Sequence, residues 1–328
     1  MNYRKLGKTG LEVSEISLGT WQVGGKWGSE FNDKNATYIL NEAVDRGINF
    51  IDTADVYENG LSERAVGKLI RSRSEKVYIA TKCGRFIDPH VSAGYQPKVL
   101  REYVEKSLKN TGLDCIDLIQ LHCPPTAVYY RQEIFEEFEK LKDEGKIANL
   151  GVSVEKVEEA LKAIEYPNVT TVQIIFNMFR HRPAELLFQE AKKRNVGIIA
   201  RVPSASGMLT GKFNATTKFS TEDHRHFNRK GEAFDQGETF SGIDYTTGLE
   251  AVDKLRSLFP SEIGLVNIAI KWILMFQEVS CVIPGVSKID QLYANLETLN
   301  IRNLSNKELV SVKAVYDRLI RPSVHHRW

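Results

Sequence analysis

The segment Asn49-Phe50-Ile51-Asp52-Thr53-Ala54-Asp55-Val56-Tyr57 predicts a buried strand that delivers a carboxylate to a functional site. Its apolar run begins after Gly47 and ends in polar residues, which is typical of a strand covered on both faces. Asp52 is the last residue of the predicted strand, and Tyr57 follows five positions later. We therefore expect both side chains near the carboxyl end of that strand.

The same arrangement recurs in three later segments. Residues 77–82 end in Lys82, residues 116–122 end in His122, and residues 149–153 end in Ser153. Because parallel strands place their carboxyl ends at one edge, these polar side chains are expected to face a common region.

Strand and helix patterns alternate along the whole chain. The predicted core strands cover residues 16–20, 49–52, 77–82, 116–122, 149–153, 172–176, 197–200 and 281–283. The predicted helices cover residues 33–46, 61–71, 97–110, 134–144, 184–194, 246–258 and 263–277, together with one after Ser153 that ends near residue 165. A hairpin over residues 3–16 precedes the first strand.

Eight parallel strands with crossover helices can close into a barrel or form an open doubly wound sheet. The open sheet is disfavoured because the chain lacks a strand-turn-helix glycine fingerprint and its polar strand ends are spread over at least six strands. We predict an (α/β)8 TIM barrel with an N-terminal hairpin and extra C-terminal helices. Without a Pro-, Ser- or Gly-rich linker, residues 1–328 are expected to form a single domain.

Composition narrows the possible partners. The 44 basic and 42 acidic residues leave a net charge of +2, which argues against a nucleic-acid-binding surface. The N-terminus lacks the apolar core of a signal peptide, and no later stretch has the apolar length needed to cross a bilayer, so we expect a cytoplasmic protein without a membrane partner. The cysteines lack the spacing of a metal site, so no bound metal is expected: Cys83, Cys115, Cys123 and Cys281.

Four polar residues form a set suited to carbonyl chemistry. Tyrosine has an unperturbed pKa of about 10, and a nearby ammonium group such as Lys82 favours the phenolate and lowers that pKa. Asp52 is expected to hold Lys82 by an ion pair, and His122 to donate a hydrogen bond to a substrate oxygen. The set, with Tyr57 as proton donor, suits protonation of an oxygen at neutral pH. Each residue alone has a purely structural alternative, such as an ion pair or a packed ring.

These residues, with several further motifs, resemble the aldo-keto reductase superfamily over nearly the whole chain. The motifs are Asp52-Thr53-Ala54-Asp55-Val56-Tyr57, Lys82, Leu121-His122-Cys123-Pro124, Gly151-Val152-Ser153, Gln173 with Asn177, Gly207-Met208-Leu209-Thr210-Gly211-Lys212, and Ile283-Pro284-Gly285 followed by Gln291 and Asn295. The resemblance implies an (α/β)8 barrel that binds a nicotinamide cofactor without a Rossmann domain. It also implies that Tyr57 is the proton donor, that Lys82 and Asp52 tune it, and that His122 orients the carbonyl.

The resemblance extends to the cofactor site. Ser153 and Gln173 match positions that bind the nicotinamide carboxamide, whereas Val154 replaces the Asn usual in the family. Arg201 stands where many members place an aromatic ring against the nicotinamide, and a planar guanidinium can also stack. The remaining expected cofactor residues are Gly19 and Thr20 at the first strand end, Pro203, Ser206, Leu209, Gly211 and Lys212 around the pyrophosphate, and Gly285, Ser287, Lys288, Gln291 and Asn295 around the adenosine.

Cofactor preference is expected to follow from the segment after the last strand. Ser287 and Lys288 offer a hydroxyl and a cation at a helix start, where backbone N–H groups also favour an anion. Because Lys288 supplies one positive charge for the 2′-phosphate, NADP(H) is expected to be preferred, while NAD(H) remains possible.

Three further segments are candidates for the substrate pocket. Trp21 and Trp27 follow the first strand and are expected either to wall an apolar cavity or to pack within their loop. Residues 213–245 are polar without a core stripe, and a loop of this length is usually a lid, a binding loop or disordered. We expect it to act as a lid that closes over bound cofactor. Residues 321–328 are too polar to predict a helix, and His325 or Trp328 is expected near the mouth of the barrel.

Two classes of function fit the sequence. The first is an NADP(H)-dependent reductase or dehydrogenase that acts on a small aldehyde, ketone or sugar. The second is a cofactor-binding regulatory subunit with little turnover, similar to potassium-channel beta subunits. A metal-dependent barrel hydrolase or isomerase is disfavoured because the predicted strand ends are poor in metal ligands.

Overall fold

A parallel β-barrel forms the centre of the molecule. The computed structural model describes residues 1–25 and 30–328. Its strands are β1 (Tyr3–Lys5), β2 (Glu12–Ser14), β3 (Leu18–Gly19), β4 (Phe50–Asp52), β5 (Tyr78–Cys83), β6 (Leu118–His122), β7 (Leu150–Ser153), β8 (Val169–Ile175), β9 (Gly197–Arg201) and β10 (Val279–Val282). Strands β3 to β10 pair in chain order, and every pairing is parallel.

The barrel closes between its first and last strands. Ile16 and Gly19 form parallel bridges to Val282 and Gly285, and the Gly19 N–H donates to the Pro284 carbonyl at 3.1 Å. A Cβ atom at Gly19 would lie only 2.9 Å from the Ile283 carbonyl oxygen, so glycine permits this close approach. The predicted (α/β)8 barrel is therefore confirmed.

The N-terminal hairpin covers one end of the barrel. Strands β1 and β2 pair antiparallel, and Leu6 and Val13 are fully buried against residues inside the barrel such as Phe50 and Leu118. Phe50 and Leu118 are the first residues of their strands, so the hairpin lies at the amino-terminal end. The opposite end, where the strands finish, is left for a functional site.

Helices surround the barrel and bury one face each. They are α1 (Asp33–Asp45), α2 (Leu61–Ser72), α3 (Pro97–Thr111), α4 (Gln132–Asp143), α5 (Val157–Ala163), α6 (Leu187–Lys193), α7 (His224–Phe227), α8 (Tyr245–Arg256), α9 (Leu265–Leu274), α10 (Ile289–Glu297), α11 (Asn306–Val315) and α12 (Arg321–Val324). In α4, residues spaced three and four apart form the buried face: Ile134, Phe135, Phe138 and Leu141. Asn32 caps α1, because its side-chain oxygen accepts from the Asn35 N–H at 2.9 Å.

The prediction of no helix in residues 321–328 is wrong. Helix α12 follows a π-helical turn at Tyr316–Ile320. Tertiary contacts stabilise this polar segment: the Tyr316 hydroxyl lies 2.9 Å from His325 Nδ1, and Arg321 pairs with Glu185 at 3.2 Å. Among the residues described, no helix is both long and apolar enough to span a membrane.

Candidate active site

Five strand ends bring polar side chains together at the open end of the barrel. Asp52, Lys82, His122, Ser153 and Gln173 lie at or near the ends of β4 to β8, and all five are buried. The register pairs His122 with Ser153 and Ser153 with Gln173, so their side chains are at the same level in the barrel. The predicted convergence of strand ends is therefore present.

Lys82 links an acidic group to a phenol. Its Nζ donates to Asp52 Oδ1 and, at 2.8 Å, to the Thr53 carbonyl. The same atom lies 3.3 Å from the Tyr57 hydroxyl and 4.9 Å from the centre of that ring. Although burial lowers it, Asp52 and Tyr57 raise the pKa of Lys82 above its usual value, so the ammonium stays charged.

Lys82 lowers the pKa of Tyr57 in the structure, as expected, but it does not bring that pKa below its usual value. Burial raises the pKa of Tyr57 by more than the Lys82 charge lowers it, and the Asp52 charge raises it further. Tyr57 is therefore a neutral phenol at neutral pH, the form that can donate a proton. Lys82 still acts in the predicted direction, but its effect is the smaller one.

Sequence reasoning missed Gln120, a second support for Asp52. The Gln120 amide donates to Asp52 Oδ2 at 3.0 Å, and Gln173 donates to the same oxygen at 2.8 Å. Gln120 lies two residues before His122 on β6, and alternate residues of a strand face the same side. That periodicity was the signal in the sequence that could have identified it.

The backbone after Tyr57 is held in an unusual conformation. Glu58 and Asn59 have φ angles of 46° and 57°, and Gly60 follows at 84°. Left-handed angles at two consecutive non-glycine residues cost free energy and occur mainly where function requires a fixed geometry. This turn leads from Tyr57 directly into α2.

His122 lies beside Tyr57 as a neutral imidazole. The two ring centres are 6.1 Å apart in an edge-on arrangement. Burial, with the nearby charge of Lys82, holds the pKa of His122 well below its usual value. Within the described chain its Nδ1 has no hydrogen-bond partner. A neutral ring can donate an N–H to a substrate oxygen from one of its nitrogens.

A long cleft of about 1190 Å³ connects these residues to the start of α10. It is lined by the catalytic candidates Asp52, Tyr57 and His122, and by eleven of the predicted cofactor residues: Gly19, Thr20, Ser153, Gln173, Arg201, Pro203, Ser206, Lys212, Gly285, Gln291 and Asn295. Trp21 also lines the cleft, with its ring 6.4 Å from that of Tyr57. Trp27 lies outside the described residues.

Four predicted cofactor residues do not line this cleft. Leu209 is fully buried in the hydrophobic core, and its N–H donates to the Ser204 carbonyl at 2.9 Å. Gly211 lines a smaller neighbouring pocket beside Arg256. Ser287 and Lys288 flank the cleft at the start of α10, where their N–H groups donate to Gln291 Oε1 at 2.8 and 3.1 Å.

The loop after β9 has a strained backbone. Val202, Ala205 and Ser206 have φ angles of 54°, 48° and 57°. Val202 is β-branched, which makes this conformation costly, and Asn177 supports it by donating to the Val202 carbonyl at 2.9 Å. Such strain persists where the surroundings fix a ligand-binding geometry.

The residues present fit an elongated dinucleotide. A Cβ atom added at Gly285 would meet nothing within 4 Å, so the backbone there is open to close approach. The hydrogen bonds of Gln173 within the described residues use its amide nitrogen, which leaves its oxygen to accept from a carboxamide. Lys212 supplies a cation and the start of α10 supplies a favourable dipole for phosphate groups.

Arg201 is fixed by two carboxyl groups in the wall of the cleft. Its Nη2 donates to Glu155 Oε2 at 2.9 Å and to the Val154 carbonyl at 3.2 Å, and its Nη1 lies 3.7 Å from Glu238 Oε1. Cys123, Glu155 and Glu238 offer ligand atoms within 4.8 Å of one another, which is close enough for a metal ion. Because the Arg201 guanidinium already supplies a cation there, the absence of a metal remains our prediction.

Residues 213–245 form a loop with its own aromatic core, so the expected lack of core residues is wrong. Phe213, Phe219, Phe240 and Tyr245 pack with ring centres 5.2 to 6.4 Å apart. Arg225 lies over Phe219 at 4.6 Å, and Arg229 over Tyr245 at 4.8 Å. The irregular spacing of these aromatic residues along the chain produces no helix or strand pattern.

His325 and Trp328 are not among the described residues that line the cleft. Trp328 packs against the loop of residues 213–245 instead. Its indole N–H donates to Asp235 Oδ1 at 2.7 Å, and the Arg180 guanidinium lies 4.1 Å from its ring centre. The structure therefore gives no support to their predicted contact with substrate.

Comparisons with known proteins agree with this geometry. The Aldo/keto reductase family model matches residues 15–317. The uncharacterized oxidoreductase YqkF of Bacillus subtilis is 30% identical over 318 residues, which cover 96% of each protein. A probable voltage-gated potassium channel subunit beta of Oryza sativa subsp. japonica is 28% identical over 327 residues, which cover 94% of each.

Two solved structures share the fold at similar identity. The glycerol dehydrogenase AKR11B4 from Gluconobacter oxydans is 28% identical, with a TM-score of 0.79 over 97% of this chain and 96% of that one. The holo form of aldo-keto reductase AKR11C1 from Bacillus halodurans is 26% identical, with a TM-score of 0.76 over 96% of both chains. The barrel, the site at its strand ends and the family match all agree. The chain therefore belongs to the aldo/keto reductase family and is an oxidoreductase that uses a nicotinamide cofactor.

Proposed function

We propose that this protein transfers a hydride between NADP(H) and the carbonyl group of an aldehyde, ketone or sugar, or the corresponding alcohol, with Tyr57 as general acid and base. The supporting observation is the hydrogen-bonded chain from Asp52 through Lys82 to Tyr57 in the wall of the cleft. This chain places a phenol beside a buried ammonium group, which suits proton transfer to an oxygen.

Each residue has a distinct role in the proposed mechanism. When bound, the nicotinamide supplies or accepts the hydride. Tyr57 donates its hydroxyl proton to the carbonyl oxygen, and Lys82 stabilises the phenolate that remains. His122, kept neutral by burial, donates a hydrogen bond to the same oxygen and orients it. Asp52 holds Lys82 in position, and Gln120 and Gln173 hold Asp52.

A substrate screen tests the proposal directly. Aldehydes, ketones and sugars are assayed with NADPH, and glycerol and other polyols with NADP+, by following cofactor absorbance. Polyols are included because one structural relative is a glycerol dehydrogenase. We expect turnover in at least one class, and no turnover in any class would count against the enzyme assignment.

A regulatory subunit with little turnover is the second candidate, favoured by the similarity to a probable potassium channel subunit beta. The connected Asp52, Lys82 and Tyr57 favour the enzyme. Tight cofactor binding together with negligible turnover across the same screen would favour the regulatory function instead.

We expect NADPH to bind more tightly than NADH. Lys288 is exposed at the start of α10 and has no ion-pair partner in the described part of the chain. A partly exposed, charge-assisted contact with the 2′-phosphate corresponds to roughly a 5- to 30-fold preference. Fluorescence titration with both cofactors measures it in the unmutated protein and in Lys288→Ala.

The matched control for Lys288→Ala is Lys307→Ala, because Lys307 is an exposed lysine on α11 away from the cleft. Only Lys288→Ala is expected to reduce the preference. Equal affinities for the two cofactors in the unmutated protein would contradict the proposed phosphate recognition.

We also propose that residues 213–245 close over the bound cofactor. Ser206, in the loop predicted to hold the pyrophosphate, donates to the Glu238 carbonyl at 2.8 Å and accepts from the Phe240 N–H at 3.1 Å. Cofactor bound at Ser206 would therefore stabilise the loop. Limited trypsin digestion should cut at the exposed Lys218, Arg229 and Lys230 more slowly with NADPH than without it.

The control for this digestion contains inorganic phosphate in place of NADPH, which tests for a general effect of anions. Equal cleavage of residues 213–245 with and without cofactor would contradict the lid.

A further inference from the structure

Arg85 is a charged residue in the lining of the cleft. It lies just beyond β5, three residues after Lys82, and lines the cleft together with Trp21, Phe86 and Phe234. Its side chain is 22% exposed, and its guanidinium carbon lies 6.0 Å from the centre of the Phe234 ring. The charge of Arg85 contributes to the lowered pKa of His122, which places the guanidinium near the catalytic histidine.

The guanidinium of Arg85 retains its hydrogen-bonding capacity. An arginine carries five N–H donors. Over residues 1–25 and 30–328, no group accepts a hydrogen bond from Arg85, and its nearest carboxylate oxygen, on Glu238, lies 3.8 Å from Nη2. That distance is too long for a hydrogen bond.

Two other arginines of the cleft are already paired. Arg201 donates to Glu155 and to the Val154 carbonyl, and Arg225 donates to both carboxylate oxygens of Asp223. The donors left over at Arg85 are therefore available to a ligand in the cleft. A planar guanidinium fork matches the two oxygens of a carboxylate or a phosphate.

The charge balance around Arg85 favours an anion. Arg85 and Arg201 face the carboxyl groups of Glu155 and Glu238. Burial, with the charge of Glu238, raises the pKa of Glu155 to about 8, whereas Arg201 and Arg85 lower the pKa of Glu238 despite its burial. Burial therefore disfavours a full negative charge on both carboxyl groups at once, while both guanidinium groups stay charged, which favours an anion beside Arg85.

We propose that Arg85 forms an anion subsite that selects carbonyl substrates bearing a carboxylate, such as short-chain oxo acids. This inference rests on the proposed function, because the carbonyl oxygen is placed between Tyr57 and His122 while the carboxylate binds Arg85. The planar guanidinium fork pairs two N–H donors with the two oxygens of a carboxylate in one plane. The aromatic side chains of Trp21, Phe86 and Phe234 enclose the carbon chain between the two ends.

The test compares substrates of equal chain length with and without the anion. Cofactor oxidation is measured with 4-oxobutanoate and with butanal, and with glyceraldehyde 3-phosphate against glyceraldehyde as the phosphate pair. In the unmutated protein we expect kcat/KM for 4-oxobutanoate to exceed that for butanal by about tenfold or more, as a charge-assisted bidentate contact allows. A larger enhancement by phosphate than by carboxylate would overturn the choice of carboxylate.

Two substitutions at Arg85 separate charge from geometry. Arg85→Met removes the charge and the donors at similar length, and should reduce the ratio of the two kcat/KM values by roughly tenfold, mainly through KM. Arg85→Lys keeps the charge without the planar fork and should retain part of the preference. Arg302→Met is the control and should leave the ratio unchanged, because Arg302 is exposed, pairs with Glu308 and is not among the described residues that line the cleft.

Calorimetric titration of 4-oxobutanoate into the protein supplies a readout independent of turnover. If Arg85→Met weakens binding of 4-oxobutanoate about tenfold or more, the result supports the subsite, whether or not the protein turns the compound over. If that binding is found but no carbonyl compound is turned over, only the proposed reaction is rejected. Turnover of butanal with no preference for 4-oxobutanoate, and equal binding by the unmutated protein and Arg85→Met, would overturn the subsite while leaving the proposed reaction intact.

Discussion

The Tyr57→Phe variant is expected to lose roughly 10²- to 10⁴-fold in carbonyl reduction, the usual contribution of a general acid. The substitution removes only the hydroxyl group. The ring keeps its positions 6.4 Å from Trp21 and 6.1 Å from His122, so the shape of the cleft and the affinity for cofactor should be nearly unchanged. Steady-state reduction of the best substrate from the screen, with fluorescence titration of NADPH, measures both quantities.

Tyr130→Phe is the matched control for this variant. Tyr130 is 66% exposed and is not among the described residues that line the cleft, so losing its hydroxyl should leave the rate unchanged. If Tyr57→Phe reduced the substrate as fast as the unmutated protein, Tyr57 would not be the proton donor.

The strand ends could be predicted because one local rule applies to all of them. A buried strand in a parallel barrel is a continuous apolar run, and its first polar residue marks the open end of the barrel. Asp52, Lys82, His122 and Ser153 were each identified in this way, and the structure brings them together. The hairpin and the barrel helices follow similarly from local turn and periodicity signals.

The direction of the Tyr57 pKa could not be predicted in the same way. The sequence shows which charges lie near Tyr57, but the cost of burying a phenolate depends on how completely the barrel mouth excludes water. In the structure burial has the largest effect, and it raises the pKa. The sequence therefore identified Lys82 as the partner of Tyr57, but not the direction of the net pKa shift of Tyr57.

Contacts across long stretches of chain were also missed. Glu238 lies 37 residues beyond Arg201 in a loop without regular periodicity, yet their side chains are 3.7 Å apart. Arg85 and Glu155 come just after strand ends, where a polar residue is expected for solubility alone. Their importance depends on the position of the loop, which tertiary packing of its aromatic residues determines.

Lys82→Met is expected to reduce carbonyl reduction on the order of 10²-fold or more, even though Tyr57 remains. The variant lacks the ammonium group 3.3 Å from the phenol, so the phenolate that forms during reduction is no longer stabilised. The single substitution also leaves Asp52 buried without its counter-ion, which costs about 3 to 5 kcal/mol of stability. Thermal unfolding of the variant should therefore be measured alongside its activity.

The double variant Asp52→Asn/Lys82→Met separates loss of catalysis from loss of folding, because it removes both buried charges together. We expect it to unfold at a higher temperature than Lys82→Met but to be no more active.

The pH profile gives the sharper test. Lys82 lowers the pKa of Tyr57, so its removal should raise that pKa further. In alcohol oxidation, which requires the phenolate, the rise of kcat/KM with pH should then shift to higher pH. The double variant should shift less, because it also loses the Asp52 charge that raises the pKa of Tyr57. An unshifted profile in Lys82→Met would show that the cation does not tune the phenol, and would leave Lys82 a purely structural partner of Asp52.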